Sequence, residues 1–438
     1  MRKRVSNILL ISIFVVLLLP VIQHYTHFPR MKMLKGAIVE PKKPKLSLSG
    51  YFNATLQDSI DKYVEHFVGF RPDLVRLHNQ IQFSFFDTIN AKGVIYGKEG
   101  YLFEYNYIRA LYGLNFVGLE KVKQDIAETV FVNNWLDKQG KHLIVVFAPG
   151  KATFFPDKVP DMYKPDTIGF RNNDLYSDSL LKHQIPLIDG NKYFLSIKET
   201  SRYALFPKSG IHWSFYGMGL IFDSLISQME LIGGKEFIDF GMKKVIVSKK
   251  LVPPDQDMWE GMNIFIKPND YAMPYPEFYF NNAIEDNKPR VIVVADSYYW
   301  PYFGSGYATR SFKSHDFWYY NAQVIRGDGS ETIERHNVDV LSRVMEADFI
   351  VLLQTDANMD RFSFGFIHDL YLAINMLDAF SAEDLQAIQN IMDGIKNSPN
   401  YMKMIEEKAA KRNISVEEML RGDALWVFQN KKKNATTK

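Results

Sequence analysis

The hydrophobic positions of this chain change their period several times, and each change marks a different kind of element. Residues 8 to 22, "ILLISIFVVLLLPVI", form an uncharged apolar run behind the basic opening "MRKRVSN". From 28 to 50 no period holds, and the prolines and lysines of "FPRMKMLKGAIVEPKKPKLSLSG" predict a linker. Apolar side chains return at helical spacing from 51 to about 90, predicting two helices broken near Gly69 and Pro72. "GVIYGKEGYLFEY" at 93 to 105 alternates around a Lys-Glu-Gly turn and predicts a hairpin.

Helical and strand-like stretches then take turns. Residues 122 to 140 are amphipathic and end at Gly140, a helix with a C-terminal glycine. "HLIVVFAP" (142 to 149) is a continuous apolar run of strand length; a helix at 173 to 183 and strands at 185 to 190, 290 to 297 and 347 to 355 follow. Val- and Ile-rich runs without alternation are buried on both faces, as in a sheet covered by helices. The predicted fold class is therefore α/β, a doubly wound and mostly parallel sheet, with chemistry gathered at the carboxyl ends of the strands. Beyond about 377, Ser381-Ala-Glu-Asp384 and Ser415-Val-Glu-Glu418 are capping boxes that each open a helix. The expected organisation is a signal-anchor at 1–27, a linker at 28–50, the main domain at 51–376 and a C-terminal helical extension with its tail at 377–438.

Charge and composition narrow the function. With 52 basic and 50 acidic residues the formal charge is +2, so no basic field is available for nucleic acid and no nucleic-acid partner is expected. The absence of cysteine neither requires nor contradicts an oxidising compartment. No His cluster has metal-ligand spacing, and there is no P-loop or dinucleotide fingerprint; no metal and no cofactor are expected. The basic opening, the apolar run and the bulky "QHYTHFPR" after it, which offers no small-residue cleavage site, predict an uncleaved single-pass anchor with the body outside. A cleaved signal peptide is the other reading; both export the protein.

Candidate chemistry sits in two short stretches. "VIVVADSYYW" (291 to 300) ends a predicted buried strand at Asp296-Ser297, where a hydroxyl can project into the crevice and backbone N–H groups can receive an oxyanion. Serine is a weak nucleophile without a base. "GIHWSFYG" (210 to 217) supplies His212 in a glycine-flanked loop, with Trp213 as a packing wall for its ring. A helix-capping serine and a structural histidine are the alternative readings of the same residues. Lys151 reads as a loop charge that could reach an anionic sugar, and Arg71 as a structural ion-pair or cap residue.

Five blocks together resemble the SGNH-hydrolase-like domain of the alginate O-acetyltransferase family, the AlgX- and AlgJ-like "DHHW" proteins. They are residues 63 to 105, "VVFAPGKATFFPDKVP" (145 to 160), "GIHWSFYG", "VVADSYYW" and "TDANMDRFSFGF" (355 to 366). The histidine block precedes the serine block, the order of this family rather than of ordinary SGNH esterases. The resemblance implies an SGNH-like domain in which Ser297 is the nucleophile and His212 its general base. It further implies acetyl transfer onto exported polysaccharide through an acetyl-serine, with a membrane-bound O-acyltransferase as partner on the donor side. The expected place is the inner membrane, with the body in the periplasm. A carbohydrate acetylesterase and a non-catalytic glycan-binding or assembly subunit are the alternatives.

One departure stands out. Where the family has an aspartate two residues before the histidine, this chain has Gly210, and losing an orienting carboxylate without replacement can cost about four orders of magnitude in rate. Asp255 and Asp257 in "PPDQDMWEG", read as exposed, are the candidate replacements, alongside a backbone carbonyl; Asp296 belongs to the serine block as a possible supporting residue.

Overall fold

The computed structural model describes residues 2–36, 40–268, 271–412 and 414–436. The chain forms two compact units, one of Met1–Leu102, Lys208–Ile211 and Leu251–Tyr271, the other of Phe103–Pro207, His212–Lys250 and Ala272–Lys438.

The first unit opens with helix α1 (Arg2–Thr26). Its segment Val5–Thr26, whose most apolar 18-residue stretch has a mean hydropathy of 2.8, has 22 residues. At 1.5 Å per residue it spans about 33 Å, enough for a bilayer core of about 30 Å. The helix is longer than the apolar run suggested, because the residues on both sides of 8 to 22 continue it; a single-pass anchor and a signal sequence both fit. Helices α2 (Thr55–Phe67) and α3 (Arg71–Phe86) break where Gly69 and Pro72 predicted. A Cβ at Gly69 would lie 1.9 Å from the Pro20 carbonyl oxygen, so a side chain there is excluded. The arginine that ties this region together is Arg76, not Arg71: it is buried and donates to Asp73 Oδ1 at 2.8 Å and to the Lys32 and Met33 carbonyls at 2.6 and 2.8 Å.

The second unit holds the main sheet. In chain order its helices and strands include α4 (Leu119–Lys138), β1 (His142–Ala148), α5 (Asn172–Lys182), β2 (Leu187–Asp189), α6 (Phe215–Gly233), β3 (Arg290–Ala295), β4 (Ser314–Tyr319), β5 (Gln323–Arg326), β6 (Thr332–Glu334), β7 (Phe349–Thr355) and α7 (Phe366–Ala379). The sheet order is β6-β5-β4-β3-β7-β1-β2. The five strands from β4 to β2 are parallel, whereas β5 and β6 run antiparallel at one edge. The domain is thus α/β with a mixed sheet, a coarser match than the doubly wound form expected from sequence. The reason is local: β4 and β5 are joined by Tyr320, Asn321 and Ala322 alone, and so short a connection permits only antiparallel pairing.

Both faces of the central strands are covered. Leu143, Val145, Phe147, Ile292, Val294, Ile350 and Leu352 enter one core cluster with residues of α4, α5 and α7. The alternate positions Ile144, Val146, Val291, Val293, Val351 and Leu353 are buried as well. Period-2 geometry sends these two sets to opposite faces, which is why the sequence shows unbroken apolar runs. Each such side chain contributes about 1.5–3 kcal/mol through burial, making the strand ends a rigid rim. Beyond α7, helices α8 (Ala382–Lys396), α9 (Pro399–Arg412) and α10 (Val416–Thr436) share a small core around Ile388, Ile405 and Leu420. Ser381 and Ser415 cap α8 and α10 as their boxes predict, accepting from Asp384 N at 3.2 Å and Glu418 N at 3.0 Å.

Candidate active site

Strand β3 ends at Ala295, and the chain turns at once through a short 3₁₀ segment, Ser297–Tyr299. Asp296 makes that turn. Its carboxylate is fully buried and saturated: Oδ1 accepts from Tyr298 N at 3.0 Å, and Oδ2 accepts from Thr355 N at 2.9 Å, Thr355 Oγ1 at 2.8 Å and Asn358 Nδ2 at 2.9 Å. Asp296 therefore fastens the end of β3 to the end of β7 and fixes the backbone on both sides of Ser297. Bonds from neutral donors to a buried carboxylate are the strong kind, so this anchor is stiff.

The His212 stretch is positioned from the other side. Ser214 N-caps α6, accepting from Gly217 N at 3.0 Å and donating to the Ala204 carbonyl at 2.7 Å. A Cβ at Gly217 would lie 2.7 Å from the Phe194 ring and 3.0 Å from the Leu205 carbonyl, which explains the glycine. Trp213 is buried against Tyr298 and Tyr302, with ring centroids at 5.1 and 5.6 Å. The His212 ring itself lies 4.8 Å from the Tyr298 ring. Trp213 thus backs the Tyr298 ring against which the imidazole packs.

These two supports bring His212 Nε2 to 3.0 Å from Ser297 Oγ. For the hydroxyl to donate, Nε2 must be unprotonated, which puts the neutral ring's proton on Nδ1. This is the geometry in which an imidazole can take a serine proton. Both side chains are half-buried, so the pair is reachable.

Other groups close in on the same rim. Tyr107 is buried; burial first, then the nearby Tyr298 and Asp296, push its phenol well above the usual range. Asp356, which follows β7, is pushed up to about 6 by burial, partly offset by the hydrogen bond from Thr153 Oγ1 at 2.6 Å. Lys151, read from sequence as a loop charge, is instead fully buried at the end of β1, with Nζ 5.6 Å from the centre of the Phe103 ring. Asp189 caps the helix Gly190–Ser196, its Oδ1 accepting from Lys192 N at 3.0 Å. Among the described residues no group of three or more His, Asp or Glu side chains is placed to hold a metal ion.

The two aspartates proposed as replacement acids belong to the first unit. Asp255 is fully buried rather than exposed. Asp257 starts the helix Asp257–Gly261, its Oδ1 accepting from Ile211 N at 3.0 Å and Met258 N at 2.7 Å. Gly210 has a steric reason: a Cβ there would lie 2.6 Å from the Pro254 carbonyl oxygen and 2.9 Å from Asp255 C and O. The space where an aspartate side chain would start is filled by main chain.

Sequence reasoning missed Thr355, Asn358, Tyr107 and Tyr320. Tyr320 lies in the β4–β5 turn, where "HDFWYYNAQVIR" offers two β-prone runs around an asparagine but no turn glycine. Thr355 and Asn358 fall in the quoted block after the last strand, but nothing in their spacing points at a carboxylate from β3.

No family model matches the chain, and no curated protein matches it. Among solved structures, the chain is similar to the O-acetyltransferase domain of Pseudomonas putida AlgJ, at 13% identity and a TM-score of 0.39, over 64% of this chain and 99% of that one. It is similar to Bacillus cereus PatB1 at 13% identity and a TM-score of 0.38, over 62% and 99%. It is also similar to Pseudomonas aeruginosa AlgX at 12% identity and a TM-score of 0.38, over 63% of this chain and 65% of that one.

Proposed function

We propose that this chain is a serine O-acetyltransferase, held by α1 at the inner membrane, that places acetyl groups on an exported polysaccharide in the periplasm. The observation that carries the serine chemistry is the 3.0 Å contact between Ser297 Oγ and His212 Nε2. The acetyl group and the glycan acceptor come from the sequence resemblance. The side of the membrane comes from the basic residues Arg2, Lys3 and Arg4 ahead of the apolar helix.

The steps follow from the pair. Ser297 Oγ attacks the acyl carbonyl carbon while its proton passes to His212 Nε2. The carbonyl π electrons move to oxygen, giving a tetrahedral oxyanion. Collapse breaks the bond to the leaving group, which takes the proton from His212 and leaves acetyl-Ser297. A sugar hydroxyl then gives its proton to His212 as its oxygen attacks the acetyl carbon, and Ser297 leaves with that proton. On this reading a membrane-bound O-acyltransferase is the upstream partner that delivers acetyl across the bilayer.

The test is acetyl release from an activated aryl acetate by the purified full chain in detergent. Ser297→Ala and His212→Ala are each expected to lower turnover by about 10⁴-fold or more. Acetyl appearing on an added glycan identifies a transferase; release only to water identifies an acetylesterase. Turnover indifferent to both substitutions would leave the non-catalytic subunit as the surviving alternative.

A further inference from the structure

Helix α3 (Arg71–Phe86) turns its apolar side outward. Leu74, Leu77, Ile81 and Phe85 are 53%, 49%, 42% and 78% exposed. Steps of three, four and four residues keep them on one helical stripe, about 16 Å long. The other exposed positions of the helix are His78, Ser84 and Phe86, so no Asp, Glu, Lys or Arg interrupts the stripe. The hydrogen-bonding side chains point the opposite way. Buried Arg76 holds the Lys32 and Met33 carbonyls, Asn79 Nδ2 donates to the Met262 carbonyl at 2.8 Å, and Gln80 Oε1 accepts from Ile266 N at 2.8 Å. A surface helix in water shows the reverse arrangement, and a continuous exposed apolar stripe marks a face that meets something apolar.

The place of this stripe in the first unit says what that is. The junction of α2 and α3 is fastened to the end of α1. His24 Nδ1 donates to the Phe67 carbonyl at 2.7 Å, and Phe70 N donates to Gln23 Oε1 at 3.2 Å. Gly69 lies so close to Pro20 that the Pro20 carbonyl takes the space of a Cβ. Pro20 and Gln23 precede the end of the apolar segment, Thr26, by about 9 and 5 Å along the helix axis. With Val5–Thr26 as the span, the start of α3 therefore sits at the boundary of the hydrocarbon core. Helices that lie in this boundary bury their apolar face about 5–10 Å deep, which matches that level. The segment that Arg76 clamps beside α3 adds charge of one sign: Arg30, Lys32 and Lys35 are exposed, and no Asp or Glu occurs from 27 to 36. Cations next to an apolar stripe are the composition that an anionic lipid surface attracts.

We propose that α3 is a second membrane contact, lying on the bilayer that α1 crosses. Its Leu74-Leu77-Ile81-Phe85 stripe enters the headgroup boundary, and Arg30, Lys32 and Lys35 face anionic lipid phosphates. The inference rests on the anchor reading of α1 given above. It makes the first unit a body seated on the membrane rather than one tethered above it by a free linker.

The chain has no cysteine, so single cysteines report one position each. The experiment places Leu74→Cys, Leu77→Cys, Phe85→Cys and, within α1, Val16→Cys in the full chain. Cysteine at such exposed positions costs little stability, and thermal midpoints check this. Each variant is labelled with a nitrobenzoxadiazole dye and reconstituted in phosphatidylcholine–phosphatidylglycerol vesicles, with and without nitroxide-bearing lipids. Headgroup and shallow acyl-chain nitroxides are expected to lower emission at 74, 77 and 85 about two-fold or more, as a depth of about 5–10 Å requires. Deep acyl-chain nitroxides should quench position 16. Quenching at 16 with none at 74, 77 and 85 would overturn the contact and leave the anchor standing. A blue-shifted dye on the stripe that no lipid nitroxide reaches would overturn it too, and would mean that protein, a second copy or another chain, covers the face. No quenching at any position would remove the anchor and the contact together.

Discussion

Placing a carboxylate back at position 210 tests why this chain differs from the family it resembles. A Cβ at Gly210 lies 2.6 Å from the Pro254 oxygen and 2.9 Å from Asp255 C and O, where ordinary contact begins near 3.4 Å. All three neighbours are main chain, so no rotamer change relieves the overlap. Gly210→Ala should therefore cost what overpacking costs, about 1–3 kcal/mol. Gly210→Asp adds the burden of taking a carboxylate out of water, several kcal/mol more unless it finds partners. The loop must also shift, and Ile211 N, which donates to Asp257 at 3.0 Å, moves with it. Denaturant titration followed by tryptophan fluorescence reads the stability, and aryl acetate turnover reads the chemistry. The expected order of stability is wild type above Gly210→Ala above Gly210→Asp, with no gain of turnover in either variant. An unchanged midpoint for Gly210→Ala, or faster turnover by Gly210→Asp, would refute the steric explanation.

Asp296→Asn can keep the three bonds at Oδ2 only by turning its amide nitrogen toward Tyr298 N–H. It should then lose about 2–4 kcal/mol in a denaturant midpoint and lower turnover through a loosened Ser297; an unchanged midpoint would contradict the anchoring role. Two buried groups give opposing pH dependences. Burial lowers His315 to about 4, so below pH 6.5 the unfolded chain binds the extra proton, and this contribution to stability is full above 6.5 and lost as pH falls toward 4. Burial raises Asp356 to about 6, so its contribution is full below the ordinary carboxylate value near 4 and lost as pH rises through 6. These two contributions should thus largely cancel from pH 4 to 6, while Asp356→Asn should gain about 3 kcal/mol relative to wild type between pH 4 and pH 8. A variant profile parallel to wild type would rule this out.

The strands that carry the site were legible because burial on both faces leaves a mark that no turn or helix imitates. The runs at 142, 290 and 347 became β1, β3 and β7, and the rim where Ser297 sits follows from them. The antiparallel edge was not read, since β4 and β5 are short and their turn is spelled Tyr-Asn-Ala rather than with the glycine that usually announces such geometry. The site divides in the same way. Ser297 and His212 were candidates by residue type, their roles came from the resemblance, and their meeting depends on packing across 85 positions of chain. Asp296 was a possible supporting residue because it adjoins the candidate serine; only the ladder of donors from Thr355 and Asn358 shows it to be an anchor. Gly210 read as a loss, and the backbone of Pro254 and Asp255 shows it to be a requirement of this loop.

The most direct measurement is to mix the full chain with an aryl acetate, quench early, digest, and locate any acetyl group by mass spectrometry. The expected result is one acetyl group on the peptide containing Ser297, at Ser297 itself, absent from Ser297→Ala and strongly reduced in His212→Ala. Release of the phenol with no acetyl ever trapped on Ser297, or the same labelling in His212→Ala as in wild type, would contradict nucleophilic catalysis by this pair.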